Sequence, residues 1–259
     1  MNELFSGKST TLTPQSAATR ARLIRTAEQL FSEQGIERVT LQLINVAAGQ
    51  KNKNATNYHF GDKRGLLVAI LDKHTPGVVR RRDQLLEEAM AGDEPSVQGV
   101  VRALLYPMAE KLFDGDGGRE FVRIAAELSS SYAAVLNGVR QDLLNLGSLD
   151  RLNAARSRLL RHLPEAVAQQ RVRLGVSLIL NGLADQSRVL DAGDKGPAAD
   201  TELLIRNLED CLVALYQAPV SAEVTAALNK ASPAIASKAR PGAKSKTKTG
   251  TRRSPGRAL

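Results

Sequence analysis

Residues 40–63, TLQLINVAAGQKNKNATNYHFGDK, read as a short helix, a glycine turn and a polar, amide-rich second helix that ends in Tyr58-His59-Phe60. Thr40 has the right chemistry to cap the first helix, over about 41–48, although Leu43 at the third position leaves no capping box. Gly49 ends that helix. The second helix, over about 52–59, is roughly 12 Å long at 1.5 Å per residue, which suits a groove about 12 Å wide. Its inward positions are expected at Ala55, Tyr58 and Phe60. Its surface goes to Lys51, Asn52, Lys53, Asn54, Thr56 and Asn57, which offer donors and acceptors to base edges and phosphates. Polarity alone would fit a merely solvated helix equally well. The whole string favours a helix-turn-helix whose second helix lies in the major groove of duplex DNA. Asp62-Lys63 then begins a further helix, where free backbone N–H groups could meet a phosphate.

Outward from this stretch, nearly every segment shows the 3.6-residue period and none shows a strand alternation, so the fold class is all-α. A helix over about 19–34 places Ile24, Ala27, Leu30 and Phe31 on one face, with Gly35 where a left-handed cap belongs. Leu66, Leu67, Ile70 and Leu71 mark the helix beginning at Asp62, and Pro76 is expected to break or kink it after Thr75. Further amphipathic helices are expected at about 77–91, 96–113, 119–137, 138–162, 165–191 and 201–217. Loops fall at 114–118 and 193–200. The resulting division is a flexible arm over 1–16, a helix-turn-helix domain over 17–75, a helical body over 76–218 and a basic, disordered tail over 219–259.

Charge follows this division. Residues 1–82 hold thirteen basic and six acidic side chains, residues 83–229 fourteen and twenty-one, and residues 230–259 nine and none. A basic head, an acidic body and a basic tail give two places for polyanion contact. Aromatic residues are 3% of the chain, too few for single-strand binding by base stacking, so duplex is the expected target. One cysteine, Cys211, excludes an internal disulfide and fits a reducing compartment. No apolar run approaches the ~18 residues of a membrane span, and the first sixteen residues lack the pattern of a signal peptide. A cytoplasmic protein gathered on the nucleoid is the expectation.

No catalytic constellation emerges, so the chain reads as a non-enzyme that needs no cofactor. His59, His74 and His162 lie far apart without metal-ligand spacing. Cys211 falls on an apolar stripe and reads as core. The run 114–118, DGDGG, lacks the ligand pattern of a calcium loop.

The segment from about Arg20 to Leu71 resembles the N-terminal DNA-binding domain of tetracycline-repressor (TetR) family transcription regulators. The matching residues are Ala27, Leu30-Phe31 and Gly35, then Thr40, Ile44 and Ala48-Gly49, then His59-Phe60, Lys63 and Leu66-Leu67. The resemblance implies an all-α homodimer with a three-helix head and a larger helical domain for ligand sensing and dimerisation. It implies that Thr40 sits beside a phosphate, that Lys51 to Asn57 read the groove, and that Tyr58, His59 and Lys63 lie against the DNA backbone. Two departures stand out. Asn45 occupies a position where the family usually has Ala, and the spacing from Gly49 to Phe60 is one residue longer than in the commonest pattern.

In the body, residues 172–184 are apolar almost all round, and residues 202–216 carry two stripes, Leu204/Leu208/Cys211/Leu215 and Ile205/Leu212. A four-helix interface between two copies is expected from these two segments. A small-molecule pocket is implied by the resemblance and barely marked by residues; Tyr106, Met108, Phe121, Arg123, Asn181 and His162 are the candidates, against ordinary core and surface roles. The basic tail reads either as a solubilising segment or as a sequence-independent phosphate contact. The functional expectation is a ligand-responsive regulator, more readily a repressor, that binds a palindromic operator. The alternative is a nucleoid-associated protein with little sequence preference.

Overall fold

The computed structural model describes residues 13–92, 96–130, 149–196 and 199–238, and among these every regular element is helical. The head begins with α1, Pro14–Gln34. It starts earlier than expected because Thr13 accepts a hydrogen bond from Ser16 N–H at 3.3 Å and Pro14 occupies the first turn, where its missing N–H has no consequence. Next come α2, Leu41–Ala47, and α3, Ala55–Phe60, joined by a turn through Gly49, and then α4, Lys63–Ala89. Leu23, Ile24, Ala27 and Phe31 of α1 close on Ile36, Val39, Ile44, Leu66, Leu67 and Ile70, all buried, to make the head's core.

α4 is unbroken across Pro76. The proline costs the carbonyl of Asp72 its helical partner, but Asp72 and Pro76 both face solvent, where that carbonyl can be hydrated. The expected boundary after Thr75 therefore falls inside one helix that belongs to head and body alike. The turn before it is tight. A Cβ on Gly65 would lie 2.0 Å from the carbonyl oxygen of Phe60. Gly65→Ala is expected to destabilise the protein by about 1–3 kcal/mol, the range for forced overpacking; chemical denaturation measures it, and an unchanged midpoint would refute it.

The body continues with α5, Val97–Ala109, which runs into a 3-10 turn at Glu110–Phe113, and then α6, Gly118–Ser130. α7, Leu149–Leu159, α8, Glu165–Ala192, and α9, Thr201–Gln217, complete it. α5 lies along α4, α6 along α8, and α9 against both α5 and α8, while α1 of the head rests on α6. The parts of the expected helices over 119–137 and 138–162 that span 131–148 lie outside the described residues, as do most of the expected arm and the last part of the tail.

Residues from Pro219 onward form a separate unit. Its described part is α10, Ala222–Lys238, where the sequence predicted a loss of regular structure. Alanines recur through this segment, no glycine interrupts it, and Ser221 accepts a capping bond from Val224 N–H at 3.3 Å. Those local propensities support a helix where disorder was expected.

Candidate nucleic-acid interface

Thr40 caps α2 as expected, its hydroxyl accepting from Leu43 N–H at 3.1 Å. α3 is shorter than the sequence suggested, six residues in place of eight, and its N-cap Asn54 makes no side-chain capping bond. The cap comes from α2 instead. Asn45 is buried, and its Oδ1 accepts from Thr56 N–H at 2.9 Å and from the Thr56 hydroxyl at 2.6 Å. Its Nδ2 donates to the Lys53 carbonyl at 2.6 Å. One carboxamide thus anchors both the turn and the first turn of the following helix. Asn45 supplies the bonds that hold the turn between α2 and α3.

Ala55 and Thr56 are buried and His59 and Phe60 half-buried, whereas Asn57 and Tyr58 face outward. Two expectations are corrected here. Thr56 is fully buried and bonded to Asn45, so it reads no base. Tyr58, expected to point inward, is 80% exposed. Lys51, Asn52, Lys53, Asn54 and Asn57 are exposed as expected. Of these, Asn52 Oδ1 accepts from Asn54 N–H at 2.9 Å and Asn57 Nδ2 donates to the Gly61 carbonyl at 3.2 Å, which fixes both amides on the outer face. Val46 at the end of α2 is 69% exposed beside them. The outer face therefore combines cations, amides, one phenol and a small apolar patch suited to a thymine methyl.

His59 and Lys63 have structural partners. The His59 ring packs between Tyr58 and Phe60, and burial, then the charge of Arg20, lower its pKa. Arg20 of α1 lies over the Phe60 ring at 5.0 Å, a contact with no signal in the local pattern. Lys63 Nζ donates to the carbonyls of Ile36 and Glu37 at 2.9 and 3.2 Å, tying the α1–α2 loop to the start of α4. The expected phosphate seat at Asp62-Lys63 is altered as well, because the Asp62 carboxylate already accepts from Gly65 N–H at 2.7 Å and places a negative charge there.

Behind this face lies a junction that the sequence did not signal. Glu28 of α1 is fully buried, with Oε1 2.8 Å from His74 Nε2 and Oε2 3.0 Å from Lys73 Nζ, both on α4. Lys111 Nζ lies 3.4 Å from His74 Nδ1. An ammonium has only hydrogens to offer, so Nδ1 accepts and the ring proton sits on Nε2, donated to Glu28. Phe121 of α6 stacks on that imidazole at 4.5 Å. From the body, Gly117 closes over the carboxylate with φ +88°, and a Cβ there would lie 2.5 Å from Glu28 Oε2. A second strut joins the same parts: Glu127 of α6 accepts from Ile36 N–H of the α1–α2 loop at 2.8 Å. Glu127 and Ser130 also border an open cleft of about 400 Å³ shared with Gln34, Gly35, Glu37 and Arg38.

Residues 23–70 match the model of a family described as bacterial regulatory proteins, tetR family. The matched segment is the head, from α1 to the first turns of α4. The chain is 32% identical over 98 residues to the HTH-type transcriptional regulator TtgR of Pseudomonas putida, covering 38% of this chain. It spans less than half, 44%, of the length of that curated relative. Among solved structures it resembles the SmeT–triclosan complex at 22% identity, over 79% of this chain and 96% of that one, with a TM-score of 0.49. It also resembles NalD, the secondary repressor of the MexAB-OprM multidrug efflux pump in Pseudomonas aeruginosa, at 23% identity over 76% and 96% of the two chains, with a TM-score of 0.48.

The candidate pocket residues of the body are not brought together. Phe121 is buried at the head–body junction, and Met108 is buried in α5. Arg123 binds Asp191 at 2.7 Å, joining α6 to α8. Asn181 is exposed and bonds Ser177 of its own helix, and His162 is exposed. The Tyr106 hydroxyl donates to Glu209 at 2.9 Å and accepts from Arg206 at 2.9 Å. Burial alone would push the Glu209 carboxyl up, but hydrogen bonds from Tyr106, Arg102 and Gln98 hold it below the usual range. Cys211, expected as core, is exposed. The buried face of α9 includes Thr201, Leu208, Leu212 and Tyr216; Leu208 and Leu212, one from each expected stripe, are buried, whereas Leu204, Ile205 and Leu215 are half-buried. Among the described residues no group of three His, Cys, Asp or Glu side chains gathers to hold a metal ion, and no single helix is long and apolar enough to cross a membrane.

Proposed function

We propose that this protein is a homodimeric transcriptional repressor that reads a palindromic operator with the outer face of α3 and the turn before it. The observation that carries the reading is that face: Lys51, Asn52, Lys53 and Asn54 of the turn and Asn57 and Tyr58 of α3 are exposed, and the short helix is anchored from inside by Asn45. Lys51 and Lys53 reach guanine or phosphate, and the amides suit adenine edges. Thr40 lies beside a phosphate at the start of α2.

Two copies would meet through α8 and α9, whose outer faces leave Leu174, Leu178 and Leu203 exposed. A two-fold arrangement sets the two α3 helices about 34–36 Å apart, one DNA turn, or a multiple of it. A small molecule held in the body would release the operator by favouring another spacing of the heads. The Glu28 junction and the Glu127 strut are the contacts through which a shift of α6 reaches α1.

Selecting bound duplexes from a random pool tests the reading, and an inverted repeat is expected. Preference over random DNA should reach about a thousandfold; recovery of no shared sequence would favour the nucleoid-associated alternative. Removing residues 232–259 tests the basic tail. Affinity is expected to fall alike for operator and random duplex, and the salt slope to flatten by about 0.9 for each phosphate the tail no longer neutralises. An unchanged slope would assign the tail no role on DNA.

A further inference from the structure

We propose that Arg20 of α1 binds a phosphate of the duplex beside α3, with Phe60 holding its guanidinium in place. The guanidinium carbon lies over the Phe60 ring, 5.0 Å from its centre. That contact occupies one face of the cation and leaves its edge, a rigid fork of N–H donors. Among the described residues no carboxylate forms an ion pair with Arg20. The first acid after it on α1, Glu28, is committed to His74 and Lys73. A planar cation stacked on a ring and bonded to no carboxylate is pre-organised for a two-oxygen acceptor, and a phosphate diester is one.

Its placement points to DNA. Phe60 is the last residue of α3, and the His59 ring lies between the rings of Tyr58 and Phe60, at 5.1 and 6.0 Å. Arg20, Phe60, His59 and Tyr58 therefore form one row, from α1 to an exposed ring on the outer face of α3. Burial first, and then the charge of Arg20, lower the pKa of His59, as membership of that row requires. The cation expected against the DNA backbone at this end of α3 is turned to the protein instead: Lys63 Nζ donates to the Ile36 and Glu37 carbonyls. Beside it, the Asp62 carboxylate caps α4 and adds a negative charge. Arg20, on a different helix, is a cation whose donors remain. The proposal rests on reading α3 as the DNA-facing helix, and it extends that face onto α1.

Fluorescence anisotropy of the full chain on a mixed-sequence duplex and on the selected operator, across about 50 to 200 mM sodium chloride, tests the proposal. R20M is expected to weaken binding and to flatten the slope of log binding constant against log salt by about 0.9. Its deficit against the native chain should then shrink by roughly 3.5-fold over that range. R20K keeps the charge and is expected to keep the native slope, which separates loss of a phosphate contact from loss of packing on Phe60. Preference for operator over mixed duplex should be the same in all three proteins, because a phosphate carries no sequence information. An unchanged slope in R20M, a slope flattened equally in R20K, or a loss confined to the operator would overturn the proposal. A native chain that binds neither duplex removes the DNA reading as well. Binding by the native chain with the full slope retained in R20M removes this contact alone.

Discussion

Glu28→Ala is expected to destabilise the protein by about 1–3 kcal/mol, the range for leaving a buried donor without its acceptor. The native carboxylate is enclosed by α1, α4 and the loop ahead of α6, and both of its oxygens are engaged. Its loss strands the Nε2–H of His74 with no acceptor beneath Phe121, and strands Lys73 with only the exposed Asp116, 2.9 Å away, as a partner. A neutral Glu28→Gln retains an acceptor for the imidazole and should lose less. Urea denaturation followed by helix content measures both. A change below about 1 kcal/mol in Glu28→Ala would mean that the junction carries little of the stability. The operator affinity of the same variant is informative, because the head loses its most buried tie to the body while every outward side chain of α3 stays intact.

Asn45→Ala has the second large effect, and it is local. Three hydrogen bonds disappear, and the Thr56 N–H and hydroxyl are left buried without their acceptor. At about 1 kcal/mol for each bond, the expected loss is about 3 kcal/mol. It falls on a six-residue helix that has no other side-chain cap. A binding surface ordered only part of the time binds in proportion to that fraction, so duplex affinity is expected to drop by up to about a hundredfold. A drop smaller than about threefold in an electrophoretic or anisotropy assay would refute the capping role. Combining Asn45→Ala with Lys51→Ala separates order from contact: once the turn is loosened, the lysine should matter less than it does in the native protein.

Most of the helices could be read from the spacing of apolar residues, because burial repeats with the helical period and leaves its mark on every turn. Thr40 and Gly49 were visible as a cap and a stop for the same reason: their chemistry acts within a few residues. The phase of α3 was not visible. Six residues hold fewer than two turns, too short for a period to declare itself, and the side chain that sets the phase, Asn45, lies in another helix. Its signal was present only as a misfit, an amide on a face that otherwise buries Ile44 and Ala48. Pro76 misled because its consequence depends on whether the freed carbonyl meets solvent, which the local pattern does not record. The Glu28–His74 pair, 46 positions apart, is a property of the fold that no spacing rule reaches.

The anchoring of α3 by its neighbour has a thermal consequence. A helix of this length in water would not persist by itself, so its amides should be guarded from deuterium only as long as the carboxamide of Asn45 stays seated. Warming would then dissolve the DNA-facing surface before it melts the helices behind it, and grip on the operator would fade at temperatures where circular dichroism still reports an intact protein.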